Sequence, residues 1–285
     1  MTHRPESLYA TDDYFDGTRF RISPPGNDER ETLVFLHGVG MRLEFWEPQF
    51  IAFSRHYRCI AYDMLGHGES SLPPAIPHLS NYSAQFAALM AHLQSGPVTL
   101  IGHSMGALIA LDAALRYPQS VRRLVAMNGV YDRTHEQKEA IARRVATLDG
   151  TVPDWTATLE RWFGDERTLE TTRKKAALTA LLNTIQPEGY ARTYRLFAAA
   201  DDACKGRLST LSIPALFLTG ALDPNSTPAM SEAMARESAK GTAHVLIDER
   251  HMMSFVHPGS TNLALQDFLN ANPCPQTSGS RSFQK

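Results

Sequence analysis

The chain has 285 residues, 43% of them hydrophobic and 20% charged, with a formal net charge of −2. That composition suits a globular protein with a sizeable core, and the near-neutral balance, without a basic stripe interleaved with aromatics, excludes an electrostatic case for nucleic-acid binding. No stretch approaches the roughly 18 continuous apolar residues of a membrane helix, so no membrane partner is expected.

Met1 to Ala10 is polar and has no apolar core of the kind a signal peptide carries. Cys59, Cys204 and Cys274 are widely spaced and odd in number, which argues against a disulfide framework and for a reducing, cytoplasmic location. Tyr14 to Ile22 contains Asp16-Gly17, a hairpin signal that predicts antiparallel edge strands. Short continuous apolar runs follow at Leu33–Leu36, Cys59–Tyr62, Val98–Ile101, Leu124–Met127, Ala215–Leu218 and His244–Ile247. Unbroken runs suit strands covered on both faces, as in a parallel sheet with crossover helices. Helical patterns lie between them at Ser80–Gln94, Met105–Arg116 and Pro228–Lys240, the last with Thr227-Pro228 at its start. A final amphipathic helix is read at Ser260–Leu269.

One interval, 132–206, breaks this rhythm. No buried-strand run occurs there, and Gly150, Pro153, Gly164 and Pro187 divide it into about four amphipathic helical segments. Thr134 and Gln137 have capping-box spacing at the start of the first. Residues 1–131 and 207–271 thus form an α/β core, and 132–206 an all-helical cap over the carboxyl edge of its sheet. The Pro-, Ser- and Gln-containing segment 272–285 reads as a disordered tail.

Ser104 sits in Gly102-His103-Ser104-Met105-Gly106, directly after one apolar run and directly before a helical stretch. A strand that turns sharply into a helix at a serine holds that residue in a strained conformation and lifts its hydroxyl out of the sheet, with glycines where chain passes chain. A serine hydroxyl needs a base, and the expected chain order is Ser, Asp or Glu, then His. His251 follows the last strand run and precedes the last helix, which puts it in a loop able to reach Ser104; His257, followed by Pro258, suits a helix entry. Asp223, just past Ala215–Leu218, is the candidate orienting acid, with Asp132 as fallback and Asp248 too near His251 along the chain. The oxyanion needs two backbone donors. These are assigned to Met105 N–H and to Val39 N–H in His37-Gly38-Val39-Gly40. His37, Asp63, His67 and Gly68 are read as loop scaffolding and His103 as a packing residue. No metal-ligand spacing or phosphate loop appears, so no metal or cofactor is expected.

These ordered motifs, His37 to Gly40, Asp63 to Ser70, Gly102 to Gly106, and Asp223 with His251, resemble the α/β-hydrolase superfamily over about Tyr9 to Leu269. The resemblance implies a mostly parallel central sheet flanked by helices and a serine hydrolase with no cofactor. An epoxide hydrolase or dehalogenase would need an aspartate where Ser104 stands. Leu159-Glu160-Arg161-Trp162-Phe163, Pro187-Glu188-Gly189-Tyr190 and Ala198 to Asp201 look like the cap of the 3-oxoadipate enol-lactonase and carboxylesterase branch, although Ala107 stands where that branch commonly has a second glycine. Trp162 and Phe163 are candidate substrate-binding residues. Arg161, Arg173, Lys174, Arg192 and Arg195 either meet a substrate carboxylate or solvate helix faces.

The expected activity is hydrolysis of a small carboxylic ester or lactone through a Ser104–His251–Asp223 triad and an acyl-enzyme. A carbon–carbon hydrolase acting on a vinylogous diketone would use the same residues. A ligand receptor built on an intact hydrolase pocket is the reading from outside enzymology.

Overall fold

The computed structural model describes residues 10–24, 30–165 and 168–273. Cys274 and residues 1–9 and 274–285, which include most of the expected tail, lie outside that range.

Alternation along the strands decides the layers. In β3 (Thr32–Leu36), Leu33 and Phe35 enter one apolar core while Val34 and Leu36 enter another, because successive side chains leave a strand on opposite faces. The same division holds in β4 (Arg58–Tyr62), β5 (Val98–His103), β6 (Val121–Met127) and β7 (Ala215–Gly220), so the unbroken apolar runs fill two cores rather than one. These strands and β8 (Gly241–Leu246) are parallel to one another. The hairpin β1 (Thr11–Phe15) and β2 (Thr18–Ile22) joins antiparallel to β4. Asp16 and Gly17 take φ of 44° and 71°, the positive values a tight hairpin turn requires.

One face is covered by α2 (Leu79–His92), α3 (Met105–Arg116) and α8 (Pro228–Glu237). The other is covered by α1 (Glu47–Phe53) and α10 (Pro258–Ala271), which begins just after the short α9 (Met253–Val256). Strand β8 departs from the sequence reading: Ile247 is 77% exposed and falls outside the strand. An edge strand has a single neighbour, so a short apolar run there is not evidence of two-sided burial.

Between β6 and β7 the chain builds α4 (His135–Ala146), α5 (Thr156–Phe163), α6 (Leu169–Leu182) and α7 (Pro187–Ala199). Leu159, Leu178, Leu182 and Tyr190 join the core of the α1–α10 face, which seats the cap on the body. Helix α4 has no fully buried residue, and its start is held by the Thr134–Gln137 capping box, with Gln137 N–H donating to Thr134 Oγ1 at 3.3 Å. Cys59 and Cys204 are buried free thiols.

Candidate active site

The strand order β1-β2-β4-β3-β5-β6-β7-β8 reverses direction between β3 and β5. The loops after two such strands diverge and leave a crevice at their carboxyl ends. Both loops carry the residues singled out above.

Ser104 ends β5 with φ 55° and ψ −115°, a conformation disfavoured for any residue with a side chain. The close approach of strand and helix requires its glycines: a Cβ on Gly102 would lie 2.1 Å from the Gly106 carbonyl oxygen, and one on Gly106 would lie 2.3 Å from that of Leu36. Met105 opens α3, so its N–H has no partner inside the helix. Ser104 lines a cavity of about 410 Å³ together with Val39, Trp162 and His251.

His251 lies in the turn before α9, and its Nδ1 is 2.7 Å from Asp223 Oδ2. The carboxylate is held by further donors: Asn128 Nδ2 at 2.9 Å to Oδ2, and the backbone N–H groups of Asn225 and Ser226 at 2.8 and 3.2 Å to Oδ1. Burial pushes the Asp223 pKa up, but the charge and hydrogen bond of His251 and the Asn128 and Asn225 donors outweigh it, leaving the pKa below the usual value. The group is therefore an ionised acceptor at neutral pH. With Asp223 at Nδ1, the proton of neutral His251 sits there and Nε2 is free to accept.

Neutral histidines hold the loop after β3. His67 Nε2 accepts the Gly40 N–H at 3.0 Å, and His37 Nε2 accepts the Met64 N–H at 3.1 Å while its Nδ1 donates to the Gly38 carbonyl at 2.9 Å. Burial depresses the His37 pKa well below its usual value and brings that of His67 to about 4, which keeps their ring nitrogens available as acceptors. Asp63 accepts from Leu43 N–H at 2.7 Å and Glu69 N–H at 3.0 Å, and a Cβ on Gly68 would strike its carboxylate. His103 is buried, as a packing residue should be, yet it also donates from Nε2 to the His251 carbonyl at 2.8 Å and so fixes the backbone of the loop that carries His251.

With this geometry in place, comparison with known proteins is direct. The alpha/beta hydrolase fold family matches residues 31–258. The chain belongs to this family. It is 39% identical over 245 residues to the (E)-2-((N-methylformamido)methylene)succinate hydrolase of Acinetobacter baylyi, covering 86% of this chain and 92% of that protein. The same organism's 3-oxoadipate enol-lactonase 2 is 27% identical over 241 residues, covering 85% and 89%. The solved enol-lactonase of Burkholderia xenovorans LB400 superposes with a TM-score of 0.81 at 25% identity, covering 91% of this chain and 100% of that one. The resemblance to enol-lactonases therefore extends over most of the chain.

In this hydrolase the cap supplies one wall of the cavity. Trp162 faces it, whereas Phe163, at the end of α5, is buried in the core that joins cap and body and lines, with Trp162, a second cavity of about 270 Å³. Consecutive helical residues differ by about 100° in direction, so Trp162 reaches both cavities while Phe163 faces only the second. Asp132, the fallback acid, is 47% exposed and paired with Lys205 at 2.6 Å, away from His251. Asp248 lines the second cavity, and His257 pairs with Glu249 at 3.0 Å. Of the cap's basic residues considered from the sequence, Arg161 reaches the Ser104 cavity, while Arg192 and Arg195 line a separate groove.

Arg133 and Arg144, absent from the sequence reading, line the Ser104 cavity too. Arg133 is bound to Asp201 at 3.4 Å and lies over the Phe197 ring. The Arg144 guanidinium lies over the Tyr194 ring at 5.4 Å, and Arg161 donates on its own helix to the Ala157 carbonyl and to Thr158 Oγ1, each at 3.4 Å. Among the described residues no carboxylate pairs with either. Asn128 was also missed; an asparagine directly after a strand run, a residue type that tolerates positive φ, is the signal that would have marked it, and it takes φ 49°.

Proposed function

We propose that this hydrolase cleaves a small, carboxylate-bearing acyl compound through Ser104, with His251 as base and Asp223 as its orienting acid. The observation that carries the reading is the buried Asp223–His251 pair opening with Ser104 onto one cavity that also holds Arg144 and Arg161, which pair with no carboxylate among the described residues. Ser104 Oγ attacks the carbonyl carbon as His251 Nε2 takes its proton, and the Val39 and Met105 N–H groups stabilise the oxyanion. His251 then protonates the departing heteroatom as its bond to the acyl carbon breaks. Water repeats the sequence on the acyl-enzyme and restores Ser104.

The relatives' names narrow the substrate class. A 3-oxoadipate enol-lactone and an N-methylformamido-methylene succinate each place an acyl carbonyl on a heteroatom borne by a carbon–carbon double bond, beside free carboxylate. An enol or enamine leaving group of this kind, in a lactone or its N-acyl analogue, is our reading for this chain, and Arg144 and Arg161 supply the charge for the carboxylate. The conjugated framework of the N-methylformamido-methylene succinate favours one second reading, carbon–carbon hydrolysis with the same residues, which a vinylogous diketone tests by its loss of absorbance.

The decisive experiment is intact mass after rapid mixing with an activated ester, in the wild type and in Ser104→Ala. A transient acyl adduct on the wild type alone is expected; an adduct on both, or full activity in Ser104→Ala, overturns the assignment. Replacing Arg144 or Arg161 by Gln should lower kcat/KM for a 4-nitrophenyl hemisuccinate about 10- to 100-fold more than for 4-nitrophenyl acetate, the size of a lost charge-assisted hydrogen bond. Equal losses on both esters would remove the carboxylate role.

A further inference from the structure

His251 is held between two aromatic rings. On the body side the His103 ring lies 5.0 Å away, tilted by 56°. On the cap side the indole of Trp162 lies 5.9 Å away at 24°, stacked on the imidazole. Burial, with the His251 charge second, pushes the His103 pKa down to about 3, so that ring remains neutral and adds no repulsion when His251 becomes charged. Trp162 presents a π face, whose quadrupole attracts a cation within about 6 Å. The other charged groups around the base are Asp223 at its Nδ1 and, across the shared cavity, Arg161 on α5, Arg144 on α4 and Arg133 just before α4. Asp248, Glu249 and Arg250, on the same loop as His251, line the second cavity on the far side of Trp162.

We infer that Trp162 is a positioning residue that stabilises the imidazolium of His251 through its indole face, so that the cap completes the catalytic base. This rests on the proposed role of His251. When Ser104 Oγ bonds to the acyl carbon, its proton passes to His251 Nε2 and the imidazole becomes a cation; the indole gains attraction then, and again when water attacks the acyl-enzyme. The stack comes from α5, so the base is fully stabilised only while the cap lies over the site. The cap arginines oppose this charge, and a substrate carboxylate that neutralises them reinforces it.

The test is the pH dependence of kcat/KM on an activated ester in Trp162→Phe and Trp162→Leu, paired with an NMR titration of the His251 ring in the Ser104→Ala background. The acid limb and the ring titration should both move about half a pH unit lower in Trp162→Leu, with Trp162→Phe in between and kcat two- to five-fold down. Loss of packing alone would admit water, relieve burial of the imidazolium and move the midpoint to higher pH. A midpoint unchanged or raised in both variants therefore overturns the inference. If Trp162→Leu does not fold, Trp162→Phe carries the same sign test. A wild type that turns over no ester, yet whose His251 titration falls in the variants, sinks the hydrolase reading and leaves the indole–imidazolium contact standing.

Discussion

At the residue scale, the site is a set of backbone demands met by particular side chains. Ser104 tolerates its strained φ because β5 and α3 are locked together at Gly102 and Gly106; Gly106→Ala must displace the Leu36 carbonyl and should cost at least about 1–3 kcal/mol in urea unfolding. In the proposed triad Asp223 acts by geometry as much as by charge. Asp223→Asn keeps the shape but offers Nδ1 a donor where an acceptor is needed, and kcat should fall on the order of 10³- to 10⁴-fold with the fold intact by circular dichroism. Asn128→Ala removes a buried donor at 2.9 Å and places alanine at φ 49°. Stability should drop by about 1–3 kcal/mol in urea titrations, and kcat should fall more than KM rises.

At the scale of elements, the sheet's reversal between β3 and β5 places the Val39 loop beside Ser104, and the cap closes the space above them. The helices of that cap are not equally held. Helices α5, α6 and α7 contribute buried residues to the body's core, whereas α4, which carries Arg144 into the cavity, has none. Its position depends on its capping box and on the contact of Arg144 with the Tyr194 ring. Thr134→Ala should therefore weaken α4 by about 1 kcal/mol, seen as faster amide exchange confined to 135–146, and should raise KM for an anionic ester while leaving global melting within a degree or two. Exchange that quickened equally across β5 and α3 would show that α4 is not a separately opening unit.

At the scale of the whole molecule, the scaffold depends on histidines folded in the neutral state. Burial lowers the His67 pKa to about 4, the His103 pKa to about 3, and that of His37 further than its usual range. An unfolded histidine titrates near 6.5, so between pH 6.5 and 4 the unfolded chain binds protons that the folded chain refuses, and stability falls as pH falls. Asp223, with its lowered pKa, adds a loss of the same sign below about pH 4, where the unfolded carboxylate begins to protonate first. Urea midpoints measured at pH 7, 6, 5 and 4.5 should decline steadily, by several kcal/mol in total as an order of magnitude. A flat profile over that window would mean that these rings are charged or solvated in the native state.

Much of this was legible in the sequence because it is local. The apolar runs that became β3 to β7, the glycines flanking Ser104, the Thr134–Gln137 cap, and the chain order of Ser104, Asp223 and His251 all express constraints between residues a few positions apart, or punctuation at strand ends. The α/β-hydrolase fold followed from them. What only the tertiary structure decided concerns which groups from separate elements face each other: Asn128 reaching Asp223, His103 holding the His251 carbonyl, Arg133 and Arg144 turning into the cavity, Trp162 rather than Phe163 lying against His251. Helical periodicity shows that a cap helix has an apolar side, but not which side of it meets the body and which meets the cavity. That orientation is set by packing between segments far apart in the chain.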